Sequence, residues 1–312
     1  MSKKDWLYGR NVVLTGCSTG IGKEVLLLLV NKYGCNVMGI ARNQQKLDAL
    51  KSELPAGKFD YRRFNISSSA EWKAFAQELD DIGFATDILI NNAGMIQPFS
   101  QYTDLSSSQI EKVVDTNLMS IIYSCEAMLP AIKKSIFGGL VNVSSASAIL
   151  PVAGESIYSA TKGGVWALSE TLSQELRGFG IYVGCVMPGP VKTDLYKPRE
   201  GEAPKADSFI ENIGMTAAKA GQKIVKAMRK RKTRVIIDAV AGLMDFGMRL
   251  CPSITGKLTS KLMKAVAPKV SSFYPIFKEQ YDRKEELESN KKLRKEQMAH
   301  SLEDIKKEGF FK

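Results

Sequence analysis

Short, continuous apolar runs alternate with segments of helical spacing over the first 237 residues of the chain. A strand that is buried on both faces is apolar throughout, and parallel strands need a crossover connection between them. We predict strands at Asn11–Thr15, Asn36–Ala41, Tyr61–Phe64, Asp87–Asn91, Leu140–Val143, Tyr182–Met187 and Val235–Ile237. Helices are predicted up to Val30, over Gln44–Leu54, Trp72–Leu79 and Ser106–Ser135 (where a break stays open), and around Tyr158. The alternation predicts an α/β fold with a parallel sheet covered on both faces.

The chain has the size and composition of an ordinary globular protein, with 312 residues of which 44% are hydrophobic and 25% charged. It shows no repeat with a period of about 20–50 residues and no Pro- or Gly-rich linker. We therefore predict one domain over residues 1–237 and a helical extension over residues 238–312.

The distribution of histidine and cysteine excludes several kinds of site. The single His is His300, in the charged tail, so a Ser-His-Asp triad and a multi-histidine metal site are both excluded. The five Cys lie far apart and form no Cys-x-x-Cys pair. We therefore expect a reducing compartment, no disulfide framework and no bound metal. Acid–base chemistry must come from Tyr, Lys, Asp or Glu.

The N-terminal region contains no run typical of a signal peptide. Its longest early apolar run, Val25–Val30, has six residues, whereas a membrane span needs about 20. These features predict a cytoplasmic protein.

The formal net charge of +11 comes from one segment. Residues 219–269 contain thirteen Lys or Arg and two Asp, whereas the rest of the chain has thirty-one residues of each sign. This distribution is not that of a generally basic nucleic-acid binder, and we predict no nucleic-acid partner.

The extension begins with the apolar stretch Ala239–Leu250 and continues as an amphipathic basic helix. Four apolar residues of that helix recur every four positions: Ile254, Leu258, Leu262 and Val266. Residues 239–268 have two interpretations. They form helices that cover a substrate pocket or a subunit interface, or they make peripheral contact with an anionic membrane surface. After Pro275 the chain becomes a helical tail of mixed charge.

A glycine-rich turn lies between the first strand and the first helix. Glycines lack a Cβ, so backbone N–H groups can approach a pyrophosphate, and the helix N-terminus adds partial positive charge. The turn predicts a dinucleotide-binding site, with a purely structural turn as the alternative. Its candidate contact residues are Gly16, Ser18, Thr19, Gly20, Ile21 and Gly22.

Tyr158 and Lys162 are four positions apart, so in a helix they share one face. A phenol has a pKa of about 10, and a neighbouring ammonium and a cationic nicotinamide would both lower it. The Tyr158 hydroxyl could then exchange a proton with a substrate oxygen during hydride transfer. Ser145, at the end of a strand, would hydrogen-bond the same oxygen. The alternative is a surface Tyr-Lys pair with an unrelated Ser.

Cofactor choice is set where the second strand ends. An NAD site places an acid there, and an NADP site replaces it with a cation. Here Ala41 occupies the acid position and Arg42 follows it, which favours NADP(H) over NAD(H). The alternative is that Arg42 is a solvated loop cation.

Two further turns follow predicted strands. Asn91–Gly94 could hold the backbone turn and the cofactor edge, and Pro188–Thr193 could shape the nicotinamide pocket. Both also occur as plain structural turns.

Taken together, these segments resemble the short-chain dehydrogenase/reductase family. The elements Thr-Gly-x-x-x-Gly-Ile-Gly, Asn-Asn-Ala-Gly, Asn117, Ser145, Tyr158-x-x-x-Lys162 and Pro-Gly-x-x-x-Thr occur in the order and spacing of that family, over residues 8–237. The resemblance implies a Rossmann-type, doubly wound parallel sheet of about seven strands with a C-terminal helical extension. Residues 1–237 would form the dinucleotide-binding catalytic domain. Family members are commonly dimers or tetramers, so a homodimer or homotetramer is expected.

The resemblance also implies roles for individual residues. The implied catalytic set is Asn117, Ser145, Tyr158 and Lys162. Asn117 would position a helix backbone and a water, and Lys162 would also bind the nicotinamide ribose. Asn65 stands where the family usually has Asp against the adenine. The implied cofactor contacts beyond the glycine turn are Arg42, Asn65, Ile66, Asn92, Ala93, Gly94, Tyr158, Lys162, Pro188, Gly189, Val191 and Thr193.

The sequence thus predicts an NADP(H)-dependent oxidoreductase that interconverts a ketone and a secondary alcohol. The candidate pocket residues are mostly apolar: Met95, Ile96, Leu150, Val152, Leu195 and Phe209. They favour an apolar substrate such as a hydroxysteroid or a lipid, and the extension resembles those of steroid- or lipid-active relatives. One alternative is a ketoacyl or small-ketone reductase. Another is a non-catalytic dinucleotide-binding protein with a membrane- or partner-binding tail, against which the set Ser145, Tyr158 and Lys162 argues.

Overall fold

A computed structural model describes residues 5–196, 214–251, 253–258, 261, 282–292 and 297. The strands are β1 (Asn11–Thr15), β2 (Asn36–Ile40), β3 (Phe59–Arg62), β4 (Ile88–Asn91), β5 (Gly139–Val143), β6 (Tyr182–Met187), β7 (Val191–Lys192), β8 (Met215–Thr216) and β9 (Arg234–Ile236). The helices are α1 (Gly20–Tyr33), α2 (Gln44–Glu53), α3 (Ser69–Asp81), α4 (Ser107–Val114), α5 (Ser120–Ile132), α6 (Ser156–Glu175), α7 (Ala217–Arg229) and α8 (Ala239–Leu250). Short 3-10 turns cover Tyr102–Asp104, Ala146–Ala148, Arg177–Phe179 and Asp194–Tyr196. Residues 253–258 and 282–292 are helical as well.

Seven parallel strands form one sheet in the order β3-β2-β1-β4-β5-β6-β9, and β7 pairs with β8 separately. Val13 of β1 lies beside Met38 of β2 on one side and Leu89 of β4 on the other. The strand order therefore reverses between β1 and β4, and a crevice opens there at the carboxyl ends of the strands. The predicted parallel α/β sheet of seven strands is confirmed.

Each face of the sheet carries its own apolar core, because successive strand residues point to opposite faces. Val12 and Leu14 of β1 belong to a cluster with the buried side chains of α1, α2 and α7. Val13 belongs to a second cluster with those of α3, α5 and α6. Burial from both sides explains why the strands are apolar throughout.

The long helical pattern over Ser106–Ser135 does contain a break. α4 ends at Val114, a π-helical turn covers Asp115–Met119, and α5 begins at Ser120. Such a turn widens the helix locally and is frequent at functional sites. Asn117 lies within it and is fully buried.

The extension begins against the sheet edge formed by β9. Asp238 caps α8 by accepting the backbone N–H of Ala241 at 2.9 Å. Asp245 of α8 accepts two hydrogen bonds from the Arg234 guanidinium of β9, at 2.8 Å and 2.7 Å. In the described part of the chain, no helix has the length and apolar character that a bilayer crossing requires. The predicted apolar positions 262 and 266 and most of the charged tail lie outside the described residues.

Candidate active site

The glycine turn joins β1 to α1 in a conformation that needs glycine. Gly16 and Gly20 have φ angles of 67° and 54°, which side chains with a Cβ rarely adopt. A Cβ on Gly22 would lie 2.1 Å from the carbonyl oxygen of Gly16. The first turn of α1 can therefore pack directly on the loop.

Asn92 and Thr15 connect this turn to the end of β4. The Asn92 side-chain amide donates to the carbonyl oxygens of Thr15 and Gly16, at 3.1 Å and 3.2 Å. The Thr15 hydroxyl accepts the backbone N–H groups of Asn92 and Ala93, each at 3.0 Å. The two strand ends at the reversal point are thus held together. This role of Thr15 was not predicted, because its partner lies 77 positions away.

A cavity of about 560 Å³ lies at the carboxyl ends of β1, β2, β4 and β5, and its volume is typical of ligand sites. Eighteen predicted site residues line it: Gly16, Ser18, Thr19, Gly20, Ile21, Arg42, Asn65, Ile66, Asn92, Ala93, Gly94, Ser145, Tyr158, Lys162, Pro188, Gly189, Val191 and Thr193. The structure therefore brings most of the predicted set to one place. Asn43, Lys46 and Thr116 also line the cavity and were not singled out from the sequence.

Gly22 and Asn117 are outside the lining of this cavity. Gly22 is buried beneath the turn, where it allows close packing. Asn117 instead ties the loop after β4 to the π-helical turn. Its side-chain oxygen accepts the N–H of Met95 and its amide donates to the carbonyl of Met95, both at 2.8 Å. The same amide reaches the Thr161 hydroxyl at 3.3 Å, so Asn117 also contacts α6.

Tyr158 and Lys162 share one buried face of α6, with exposed fractions of 6% and 4%. The Lys162 ammonium nitrogen lies 5.7 Å from the centroid of the Tyr158 ring. It donates to the carbonyl oxygen of Val143, at the end of β5, at 3.1 Å. The i, i+4 spacing thus places both groups on the cavity wall beneath the end of β5.

Ser145 follows β5 and precedes the turn Ala146–Ala148. Its hydroxyl accepts the backbone N–H of Ser147 at 3.2 Å and is hydrogen-bonded to the Tyr158 side chain. The two hydroxyl groups therefore lie together at the cavity, where both can contact one substrate oxygen.

Burial shifts both titratable groups of this site. It raises the pKa of Tyr158 above its ordinary value; the hydrogen bond with Ser145 opposes that change, and the charge of Glu155 adds to it. Burial lowers the pKa of Lys162 to about 8. The protein's own groups thus keep the phenol protonated at neutral pH. The lowered phenol pKa expected from the sequence is therefore not found in the protein alone, and a bound cationic nicotinamide would lower it.

Gln97, which was not predicted, holds the start of α6. It is 1% exposed, and its side-chain oxygen accepts the N–H groups of Ile157 and Tyr158 at 2.7 Å and 2.9 Å. Its amide donates to the carbonyl of Gly154 at 3.0 Å. The side chain of Gln97 thus fixes the backbone that carries Tyr158 by accepting two hydrogen bonds and donating one.

The structure places only some of the predicted substrate-pocket residues on the cavity. Met95 and Leu195 line the cavity. Ile96 is buried, and Leu150 and Val152 are half-buried outside the lining. Phe209 lies outside the described residues.

Comparison with known proteins assigns the chain to a family. A family model described as short chain dehydrogenase matches residues 10–203. The chain belongs to the short-chain dehydrogenase/reductase family. It is therefore an NAD(P)-dependent oxidoreductase that acts on alcohol or ketone groups of a small-molecule substrate.

Several members of the family are similar over most of the chain. A ketoacyl reductase of Nostoc is 30% identical over 235 residues, which are 74% of this chain and 79% of the relative. The human very-long-chain 3-oxoacyl-CoA reductase is 33% identical over 217 residues, covering 65% of this chain and 67% of that protein. The solved structure of a short-chain dehydrogenase from Sphingobium yanoikuyae in complex with NADPH is 27% identical, with a TM-score of 0.65. That match covers 74% of this chain and 88% of the other.

Proposed function

We propose that this short-chain dehydrogenase/reductase uses NADP(H) to interconvert a ketone and a secondary alcohol on an apolar, lipid-derived substrate. The observation that carries the proposal is the placement of the Ser145 and Tyr158 hydroxyl groups on one wall of the cavity that the glycine turn also lines. A binding protein without catalysis would not need a buried phenol and ammonium at this position.

The residues around the glycine turn fit a dinucleotide. A Cβ on Gly16 would lie 2.9 Å from the backbone of Ala93, so position 16 has room for a glycine but for no side chain. The Thr19 side chain does not cap α1, which leaves the N–H groups of the first helical turn available to an anion. Arg42 supplies a cation at the end of β2 that suits a ribose phosphate. The NADPH complex of the Sphingobium relative also supports NADP(H).

The proposed mechanism assigns one task to each catalytic side chain. A bound reduced nicotinamide dinucleotide supplies the hydride. Tyr158 donates the proton of its hydroxyl to the substrate oxygen, and Ser145 hydrogen-bonds that oxygen as negative charge develops on it. Lys162 places a positive charge near the phenol and so stabilises the phenolate that remains. Asn117 holds the loop after β4 against α6 through Met95 and Thr161.

The substrate class is proposed from the lining and from the relatives. Met95 and Leu195 present apolar surface to the cavity. Relatives at 30–33% identity include ketoacyl and very-long-chain 3-oxoacyl-CoA reductases. A long-chain 3-oxoacyl thioester is therefore the favoured substrate, and a hydroxysteroid is the second candidate, supported by the same apolar lining.

The test is NADPH consumption over a panel of 3-oxoacyl thioesters, steroid ketones and short ketones. We expect turnover with a long-chain member and none with Tyr158→Phe, while NADPH binding by that variant is retained. Tyr102→Phe, a change of the same chemistry at an exposed tyrosine, should be fully active. Unchanged turnover in Tyr158→Phe would refute the assigned mechanism.

We further propose a cytoplasmic enzyme that contacts an anionic membrane through residues 239–268. On α8 the polar Asp245 faces the sheet, while Leu243, Phe246 and Leu250 are 72%, 61% and 65% exposed. Their spacing of three and four places them on one face. Ile254 and Leu258 are exposed as well.

An apolar ridge within a segment of net positive charge suits the interface of an anionic bilayer. The described residues of this segment do not belong to the cavity lining, which weighs against a cover over the substrate.

Co-sedimentation with phosphatidylserine-containing vesicles tests the membrane contact. We expect binding in low salt, weaker binding in high salt, and loss of binding when Leu243, Phe246 and Leu250 are all changed to Ser. Ile136 is an apolar residue outside this segment whose side chain is 86% exposed. The control variant Ile136→Ser should bind the vesicles as the wild type does. Absence of wild-type binding in low salt would remove the proposal.

A homodimer or homotetramer is proposed from the family. Light scattering of the purified chain gives the mass directly, and a monomer at micromolar concentration would contradict the proposal.

A further inference from the structure

Glu155 is a buried carboxyl group immediately before the helix that carries Tyr158. It is 6% exposed and occupies the N-cap position of α6. Short polar side chains such as Asp commonly cap a helix from this position, whereas the longer Glu155 side chain makes no capping hydrogen bond. Gln97 accepts the first N–H groups of α6 instead. Glu155 is thus left for another contact.

That contact leads to the catalytic hydroxyl groups. The Ser147 hydroxyl donates to the Glu155 carboxylate at 3.0 Å. The backbone N–H of Ser147 donates to the Ser145 hydroxyl at 3.2 Å, and Ser145 is hydrogen-bonded to Tyr158. One residue, Ser147, therefore links the carboxylate to the pair that would contact the substrate.

We propose that Glu155 is a positioning residue for the reaction proposed above. Its carboxylate holds Ser147, and through it Ser145, beside Tyr158, and its negative charge favours the protonated form of the Tyr158 hydroxyl. The inference rests on the proposed role of Tyr158 as the proton donor. A carboxylate near the phenol keeps the phenol protonated to higher pH, so its effect is measured in the oxidative direction, which requires the phenolate.

The groups around the phenol explain the direction of this effect. On α6, Glu155 is the negative group that acts on Tyr158, and Lys162 is the positive group 5.7 Å from its ring. The turn after β5 contributes the neutral hydroxyls of Ser145 and Ser147, and the loop after β4 contributes the neutral amide of Gln97.

Glu155 itself ionises within the neutral pH range in which the enzyme would be assayed. Burial raises the pKa of Glu155 to about 7, and the hydrogen bond from Ser147 opposes that increase. The charge of Glu155 raises the pKa of Tyr158. The carboxylate is present above that pH and absent below it, so its effect on the phenol grows as pH rises through neutrality.

The decisive variant is Glu155→Gln, which keeps the size of the side chain and an acceptor for Ser147 but removes the charge. The measurement is the pH dependence of kcat for alcohol oxidation with NADP⁺, which requires the phenolate. We expect the rising limb to move to lower pH by about 0.5–1 unit, as expected when a nearby like charge is removed. Glu155→Asp, which keeps the charge, should restore most of the wild-type profile.

Ser147→Ala breaks the connection and leaves both carboxylate and phenol in place. We expect kcat to fall about tenfold with the KM for NADPH unchanged, because the turn that carries Ser145 is no longer held by Glu155, even though the backbone N–H of residue 147 still reaches Ser145. Glu175→Gln removes one charge from the exposed end of the same helix and should leave the profile unchanged.

A Glu155→Gln profile that superimposes on the wild type, with NADPH bound normally, overturns the proposal. If that variant fails to fold, a wild-type value of kcat in Ser147→Ala overturns it instead. If the wild type turns over no carbonyl compound, the proposed function has failed separately. In that case the ionisation of Tyr158 is followed by ultraviolet absorbance with NADP⁺ bound, after subtraction of the Tyr158→Phe signal. The midpoint of this titration must still move to lower pH in Glu155→Gln.

Discussion

The side-chain oxygen of Gln97 accepts the backbone N–H of Tyr158 at 2.9 Å, across 61 positions of sequence. The same oxygen accepts the N–H of Ile157, and the amide donates to the carbonyl of Gly154. The loop after β4 thereby sets where α6 begins and where the phenol lies. A residue with no chemical role in the proposed reaction thus controls the placement of its acid.

We expect Gln97→Leu to lower kcat by about tenfold or more, because small displacements of a catalytic group cost rate steeply. The unpaired N–H groups at the start of α6 should also lower the free energy of unfolding by about 2 kcal/mol. Steady-state kinetics and urea unfolding measure the two effects. Gln77→Leu, at an exposed position of α3, serves as the control, and equal behaviour of the two variants would contradict this role.

Gly22→Ala should weaken NADPH binding and destabilise the fold. The added Cβ would lie 2.1 Å from the Gly16 carbonyl oxygen and 2.5 Å from the Asn92 amide nitrogen, so the turn must move. A cost of about 1–3 kcal/mol is expected for such overpacking. NADPH fluorescence and thermal unfolding measure both effects. Gly178→Ala adds a Cβ with no atom within 4 Å and should behave as the wild type.

Arg42→Ser should lower kcat/KM with NADPH about tenfold to hundredfold, because a hydrogen bond to a charged phosphate contributes about 1.5–3 kcal/mol. The kcat/KM with NADH should hardly change, since NADH lacks that phosphate. Initial rates with both cofactors give the ratio. Arg177→Ser, the same substitution in the turn after α6, should keep the wild-type preference. An undiminished preference for NADPH over NADH in Arg42→Ser would show that Arg42 does not contact the cofactor phosphate.

Asp245→Asn should destabilise the protein at neutral pH by about 1–3 kcal/mol, because the charge-assisted hydrogen bonds from Arg234 are weakened. Those hydrogen bonds also hold the pKa of Asp245 below its ordinary value. A carboxyl with a depressed folded pKa stabilises fully above its unfolded pKa of about 4, and that contribution disappears as the pH falls towards the folded pKa.

The difference in unfolding free energy between wild type and Asp245→Asn should therefore shrink as the pH falls below about 4. Urea unfolding at a series of pH values checks this. Asp80→Asn, at an exposed position of α3, should show little difference from the wild type at any pH. If the difference in unfolding free energy between wild type and Asp245→Asn stays constant down to acid pH, the ion pair is excluded as its cause.

Much of the site could be predicted because its requirements are local. Gly16 and Gly20 need a backbone that only glycine adopts easily, and Tyr158 and Lys162 share a face through their spacing alone. The predicted strands and helices were found with ends displaced by a few residues: the third strand, expected at Tyr61–Phe64, covers Phe59–Arg62. Hydrophobic patterning specifies where an element exists better than where its last hydrogen bond forms.

The sequence by itself determined the alternation of buried strands and helices and the glycine turn, because these depend on neighbours a few positions apart. It also determined the ordered set of polar residues that identifies the family, because order and spacing along the chain are properties of the sequence itself. The tertiary structure alone decided the partners of Thr15, Gln97 and Glu155, and it turned Asp245 towards Arg234 so that Leu243 and Phe246 lie exposed. Such contacts depend on how separate elements pack in space, and neither side-chain periodicity nor local spacing records which distant group a buried polar atom will meet.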